Sequence, residues 1–283
     1  MNRKQTLRLT TSLVIAVFMI MSLIGCSAPV QDADSEISGQ TQDAEQEISE
    51  QAEPVTLNLS VAASLTDAMQ EIQEIYKDKQ PHVTIEYNFG SSGSLQQQIE
   101  QGAPTDIFVS AASKQMNELQ EKGLLLDDSR IDLLQNELVL VVPLGFTGVA
   151  DFADLAKDDI TLVSIGDPES VPAGKYAQEA LKTLGIWEQV EPKIVLAKDV
   201  RQVLAYVETE EVQVGAVYRT DAGISDKVEI VAAAPEGSHS PVIYPAAVVK
   251  DSPQPDEAKV LLDFLTGEEA KTVLEKYGFR MLN

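Results

Sequence analysis

The sequence is poor in the residues that usually carry chemistry. Its one cysteine, Cys26, excludes an intramolecular disulfide. Its two histidines, His82 and His239, belong to no cluster of His, Cys and carboxylate with metal-ligand spacing, so no cation site is expected. His82 follows Pro81 and His239 lies in a Gly-Ser loop, and both read as exposed loop residues rather than general bases. A Gly-x-Ser-x-Gly elbow is absent from the part that folds, and so is a phosphate-binding loop of the nucleotide-hydrolysing kind. Cations are scarce as well: 21 Lys and Arg stand against 45 Asp and Glu, a formal net charge of −24. Nucleic acid is therefore an improbable partner, because its backbone requires Lys and Arg to displace counterions. Nor does any apolar run reach the ~20 residues of a membrane-spanning helix.

What is present begins with an export signal. Arg3, Lys4 and Arg8 precede an apolar run from Leu13 to Ile24, which ends in Gly25-Cys26. Basic, apolar and small residues in that order read as a secretory signal over residues 1–25. Leu23-Ile24-Gly25-Cys26 resembles the site at which bacterial lipoproteins are cut and lipidated, against the plainer reading of Cys26 as a leftover buried thiol. Residues 27–54 carry eight acidic and no basic side chains. Such a segment cannot bury enough apolar area to offset its ordering entropy, so 26–54 is expected to be a lipidated cysteine and a solvated tether spanning roughly 30 Å.

The remainder alternates strand and helix. Apolar runs at Val55–Ala62, Val83–Phe89, Asp106–Ser110, Leu138–Val142, Thr161–Ile165, Lys193–Leu196, Val212–Tyr218, Val228–Ala233 and Ile243–Lys250 read as strands. Helical segments are expected at Leu65–Lys79, Leu95–Gln101, Lys114–Lys122, Lys175–Leu184, Val200–Glu208, Glu257–Leu265 and Glu268–Tyr277. The class is α/β with parallel-rich sheets flanked by helices. Two lobes are expected, the first from 55–138 with a return over 246–283 and the second from 139–245. A ligand would sit between them, at strand C-terminal ends and helix N-termini.

Four strand-to-helix turns are rich in small donors: Ser64, Ser92 within Gly90-Ser91-Ser92-Gly93-Ser94, Ala173 within Val171-Pro172-Ala173-Gly174, and Val200 after Asp199. Each helix start offers free N–H groups and about half a positive charge, so four would present roughly two charges to a dianion without one cation. Each also has a plain structural reading. Ser64, Ser94 and Asp199 serve as N-caps, Gly90–Ser94 as an ordinary turn, and Tyr218 as a strand aromatic. Lys175, Lys198, Arg201 and Arg219 read as solvent-facing, with Arg201 also placed to clamp groups behind the site.

Six motifs in order, Val61–Met69 (VAASLTDAM), Phe89–Leu95 (FGSSGSL), Gly102–Ala111 (GAPTDIFVSA), Gly166–Tyr176 (GDPESVPAGKY), Lys198–Arg201 (KDVR) and Gly215–Tyr218 (GAVY), are similar to those of the periplasmic molybdate-binding proteins, with Lys276-Tyr277-Gly278-Phe279 in agreement. The resemblance implies the two-lobed periplasmic binding protein fold of type II, hinged between its lobes. It implies an oxyanion site on Ser64, Ser92, Ala173, Val200 and Tyr218, with molybdate or tungstate as ligand and no cofactor. It further implies a monomeric, non-enzymatic capture protein, exported and held outside the cytoplasm by lipid on Cys26, that serves an ABC permease dimer and its ATPase. A cavity of donors without a carboxylate would reject phosphate, which is partly protonated and wants an acceptor. Gly90 and Gly93, where other members often carry further small residues, are expected to change loop stiffness more than contacts. Sulfate or another tetrahedral oxyanion on the same fold is the main alternative, and a hydrolase using Ser64 or Ser92 as nucleophile is the enzymatic one.

Overall fold

The computed structural model describes residues 53–282, so the expected signal peptide, Cys26 and the tether up to residue 52 lie outside the described residues. In chain order the elements are β1 (Val55–Ala62), a 3-10 turn (Ala63–Leu65), α1 (Thr66–Lys79), β2 (Val83–Gly90), α2 (Ser92–Glu100), β3 (Ile107–Val109), α3 (Ser113–Glu121), β4 (Ile131–Gln135) and β5 (Leu138–Pro143). There follow β6 (Val163–Gly166), α4 (Pro172–Thr183), α5 (Trp187–Val190), β7 (Ile194–Ala197), α6 (Val200–Glu208), β8 (Val214–Tyr218), α7 (Arg219–Ala222) and β9 (Val228–Ala233). The last elements are β10 (Ile243–Val248), α8 (Pro255–Leu265), α9 (Glu268–Lys276) and β11 (Arg280–Met281).

Two sheets result. The first has six strands in the order β11-β4-β10-β3-β1-β2, the second five in the order β7-β6-β8-β5-β9. The chain passes from first to second between β4 and β5, over residues 136–137, and returns between β9 and β10. Each sheet is mixed rather than parallel-rich: β1 pairs parallel with β2 and β3, and β6 with β7 and β8, but β10 and β5 pair antiparallel with both of their neighbours. The cause is where the chain crosses. Tyr218, the last residue of β8, pairs with Leu138, the first of β5. A strand that arrives by a short crossing at the level where its neighbours end has to run back against them.

Burial explains the apolar runs. Leu57, Leu59, Val61, Ile107 and Val109 in the first sheet, and Val139–Val142, Val163, Ile165 and Val214 in the second, are all buried. Helix α6 presents Val200, Val203, Leu204 and Val207 to the second sheet, the i, i+3, i+4, i+7 stripe of an amphipathic helix. Helix α4 comes closer still to its strand. A β-carbon on Gly174 would lie 1.8 Å from the Gly166 carbonyl oxygen, so only glycine allows the first turn of α4 to rest on the end of β6.

Candidate functional site

Register places the site. β1 and β2 run parallel with Ala62 opposite Gly90, so Ser64 and Ser92, each two residues further on, emerge side by side from the same edge. In the second sheet Gly166 is opposite Ala197, which aligns the approaches to α4 and α6, while Tyr218 closes β8. All five residues picked from the sequence, Ser64, Ser92, Ala173, Val200 and Tyr218, line one cavity between the two sheets. Its wall is completed by Ala62, Ala63, Gly90, Ser91, Ala111, Val171, Pro172 and Asp199. The cavity is nearly closed, with a volume of ≈10 Å³. A space this narrow has no room for a sugar or a peptide.

Apart from the Asp199 carboxylate, the polar groups facing this space are donors. Ser92 is the first residue of α2, and its Oγ accepts the Ala111 N–H at 2.9 Å, which leaves the hydroxyl proton free. Tyr218 is 1 % exposed and its hydroxyl has no hydrogen-bond partner among the described residues. Burial holds that phenol far above its ordinary pKa, so it remains a proton donor at any physiological pH. Ser64 Oγ lies 2.9 Å from the buried hydroxyl of Tyr244. On the far wall the donors are main-chain. Pro172, first in α4, has no N–H, so the N–H of Ala173 is the first that helix offers, and Val200 opens α6 after its cap, Asp199.

Several expectations change at this resolution of detail. Ser64 is not an N-cap: it sits in the 3-10 turn, α1 begins at Thr66, and the serine's hydroxyl engages Tyr244 instead. Helix α2 starts three residues earlier than its pattern predicts, capped by Ser91, whose Oγ accepts the Ser94 N–H. The helix starts at the cavity are therefore three, α2, α4 and α6, plus a 3-10 turn, and their dipoles together amount to about one and a half positive charges. A carboxylate does border the cavity, for Asp199 lines it, with its Oδ1 turned to the Gln202 N–H at 2.8 Å as the cap of α6. Gly93 does more than set loop stiffness. Its N–H donates to the Ser170 carbonyl at 2.9 Å, joining α2 to the loop before α4, and a β-carbon there would come within 2.6 Å of that oxygen.

None of the basic residues considered lines the cavity. Arg219 pairs with Glu137. Lys175 borders a separate cavity of ≈620 Å³ between α3 and α4, whose charged lining is Lys114 and Lys175 against Glu118, Glu121 and Glu179. That space is larger but acidic on balance, and none of the five donor residues reaches it. Arg201 does clamp groups behind the site: Nη2 donates to the Ser64 carbonyl at 3.2 Å and to Asp67 at 2.6 Å, and Nε lies 2.7 Å from Asp221, out of line for a hydrogen bond. Asp221 is fully buried, and burial raises its pKa to about 7 against the opposing field of Arg201. Sequence reasoning missed Tyr244 and Asn136, which stand behind Ser64. The available signals were a tyrosine in an apolar strand and a lone Asn-Glu pair between two strands.

The family model described as bacterial extracellular solute-binding protein matches residues 57–280. YvgL of Bacillus subtilis, named as a candidate ABC transporter substrate-binding lipoprotein, is 44 % identical over 267 residues, 94 % of this chain and 96 % of its own. The molybdate-binding protein ModA of Haemophilus influenzae is 40 % identical over 81 % of this chain and 91 % of its own. The structure of the substrate-binding domain of a candidate molybdenum ABC transporter from Clostridium difficile superposes with a TM-score of 0.64 at 44 % identity, covering 81 % of this chain and 100 % of that one. A two-sheet fold of the periplasmic binding kind, a small donor-lined cavity between the sheets and a match across nearly all of the described residues agree: this chain belongs to the bacterial extracellular solute-binding proteins.

Proposed function

We propose that this protein captures molybdate, and tungstate with it, outside the cytoplasm and delivers it to an ABC permease dimer driven by its ATPase. The observation that carries the reading is the Tyr218 hydroxyl, buried and, among the described residues, unpartnered in the wall of a cavity that no described Lys, Arg or His lines. An unpaired buried donor costs about 1–3 kcal/mol, a cost that a bound acceptor removes. Ser92 presents a second free proton, and Ala173 and Val200 add main-chain N–H groups. A fully deprotonated tetrahedral oxyanion is all acceptor, and hydrogen bonds to a charged group contribute ~1.5–3 kcal/mol each. The acidic surface does not oppose this, because charges beyond about 8 Å are largely screened.

Ser64, Ser92, Ala173, Val200 and Tyr218 are the proposed ligand contacts, with two lobes, one built on each sheet, closing about the crossings at 136–137 and 234–242. The first lobe in this reading takes residues 55–135 and 243–282 and the second 138–233, close to the expected bounds but keeping Leu138 with β5 and Ile243–Pro245 with β10. Lipid on Cys26 and the acidic segment after it would hold a monomer at the membrane within reach of its permease. The names and identities of the relatives support molybdate over sulfate. Calorimetric titration of the purified protein with molybdate, tungstate, sulfate and phosphate tests the reading. One-to-one binding of the first two alone is the expected result; tight sulfate binding would replace the ligand, and no binding would remove the function.

A further inference from the structure

We infer that Asn136 and Tyr244, neither of which lines the cavity, are positioning residues that make Ser64 an obligate hydrogen-bond donor to the ligand. This rests on the proposed oxyanion site and adds to it the origin of one contact's polarity. The chain of reasoning begins at Glu137, whose N–H donates to Asn136 Oδ1 at 2.8 Å. That bond fixes which end of the amide is oxygen, so Nδ2 faces the other way, toward Thr220 Oγ1 at 2.8 Å and the Tyr244 hydroxyl at 3.3 Å. An amide nitrogen can only donate. The Tyr244 oxygen therefore receives a proton from Asn136, and its own proton goes to Ser64 Oγ at 2.9 Å, because the Tyr218 hydroxyl on its other side makes no hydrogen bond among the described residues. Ser64 Oγ, receiving in turn, has its own proton left over, and the remaining space beside it is the cavity.

Ser92 is set the same way by a different donor, the Ala111 N–H. Both serines thus reach the ligand as donors because something behind each of them donates. A hydroxyl that is free to turn would also accept, and would accommodate a protonated oxyanion. Ser64 held by this relay has one lone pair already engaged and its proton left for the cavity, so the bias against protonated ligands extends to groups outside the cavity wall. Tyr244 can hold its end of the relay because burial keeps it neutral and because its ring is wedged edge-on between Tyr218 and Phe279, with centroids 5.8 and 5.6 Å away.

The test is a titration of the purified protein with molybdate and with hydrogen arsenate, a tetrahedral oxyanion that keeps a proton at neutral pH. Wild type, Tyr244→Phe and Asn136→Asp are each measured alone and combined with Ser64→Ala. Both variants keep the shape of the residue they replace, and thermal melting checks that each is folded. Tyr244→Phe should weaken molybdate about tenfold. Asn136→Asp turns the first donor into an acceptor and reverses the relay, so it should cost more, and the preference for molybdate over hydrogen arsenate should narrow. With Ser64→Ala already present, Tyr244→Phe should add less than twofold, and Asn136→Asp should retain only the effect of its added charge. Losses that multiply unchanged in the Ser64→Ala background, or an Asn136→Asp protein whose preference is unaltered, would overturn the relay while leaving the site intact. A wild type that binds neither ion nor sulfate would instead remove the proposed function and the relay with it.

Discussion

The two walls of the cavity supply their donors by different means. On the first-sheet side they are largely side-chain hydroxyls, Ser64 and Ser92, each held by a donor behind it. On the second-sheet side they are the main-chain N–H groups of Ala173 and Val200, and the single hydroxyl of Tyr218. A hydroxyl is removed by deleting one atom, whereas a main-chain donor is removed only by moving the backbone. The first wall is therefore written in its own contact residues. The second is written in the glycine and proline that set the pose of its helices, and side chains at Ala173 and Val200 contribute packing rather than contacts.

The sharpest break in this comparison is Gly174→Ala. The new β-carbon would overlap the Gly166 carbonyl, so the first turn of α4 has to lift off β6 and carry the Ala173 N–H with it. Overpacking of this kind costs about 1–3 kcal/mol, more where backbone is the obstacle. We expect a stability loss near 3 kcal/mol by denaturant titration and a fall in molybdate affinity greater than any single hydroxyl deletion produces, although Gly174 lines no part of the cavity. Next in size are Ser92→Ala and Ser64→Ala, each expected to weaken binding by about 1–3 kcal/mol. Ser92→Ala should also lower the melting temperature, since it leaves the buried Ala111 N–H without its acceptor. Ala173→Ser is the matched control on the other wall and should change affinity by less than about twofold, because the contact is main-chain. An Ala173→Ser loss as large as that of Ser92→Ala would show that both walls read side chains.

How much of this was legible beforehand follows the same division. Val55–Ala62 and Val228–Ala233 were placed to the residue, because each is an apolar run bounded by turn residues. β4, Ile131–Gln135, was missed. It follows two aspartates, contains a third, and pairs only with β10 and β11, more than a hundred residues away. The five cavity residues came from ordered motifs, and the strand register explains part of why such motifs converge: Ala62 opposite Gly90 levels two turns in the first sheet and Gly166 opposite Ala197 two in the second, and all four meet at one cavity. The polarity behind Ser64 was not legible, since Tyr244 is 180 residues along the chain and Asn136 a further crossing away. Ser64 looked like a helix cap because a serine before a helix is usually one. Here the turn tightens to 3-10, and the hydroxyl is released to a tertiary partner.

A smaller effect separates the walls by pH. Asp221 follows Tyr218 in α7, and burial raises its carboxyl to about 7, whereas an unfolded aspartate releases its proton near 3.9. Between these values the folded state holds a proton that the unfolded state has lost. The contribution of Asp221 to stability is thus fully present below about pH 4, declines as pH rises, and is lost through about pH 7. The melting temperature of Asp221→Asn relative to wild type should rise from pH 4 to 7 and level off beyond. A difference that stays flat across that window would mean that Arg201, 2.7 Å away, keeps the carboxylate ionised throughout.

The smallest expected effect bears on whether formal charge belongs to the site at all. Lys175 stands in the first turns of α4, two residues after Ala173, and by sequence it is the cation best placed to reach an anion bound there. Its ammonium instead borders the ≈620 Å³ cavity, 3.5 Å from Gln178 Oε1 and in the company of three glutamates. Lys175→Ala should therefore alter molybdate affinity by less than about twofold at moderate salt, since a half-exposed charge that lines another cavity is largely screened from this one. The measurement gains force from salt. If affinity falls steeply between low and high ionic strength in wild type and the slope flattens in Lys175→Ala, the site draws on a cation, and the account of a ligand held by neutral donors from two differently built walls fails. A slope that is shallow and identical in both proteins leaves the dipoles of α2, α4 and α6 and the three hydroxyls as the source of attraction.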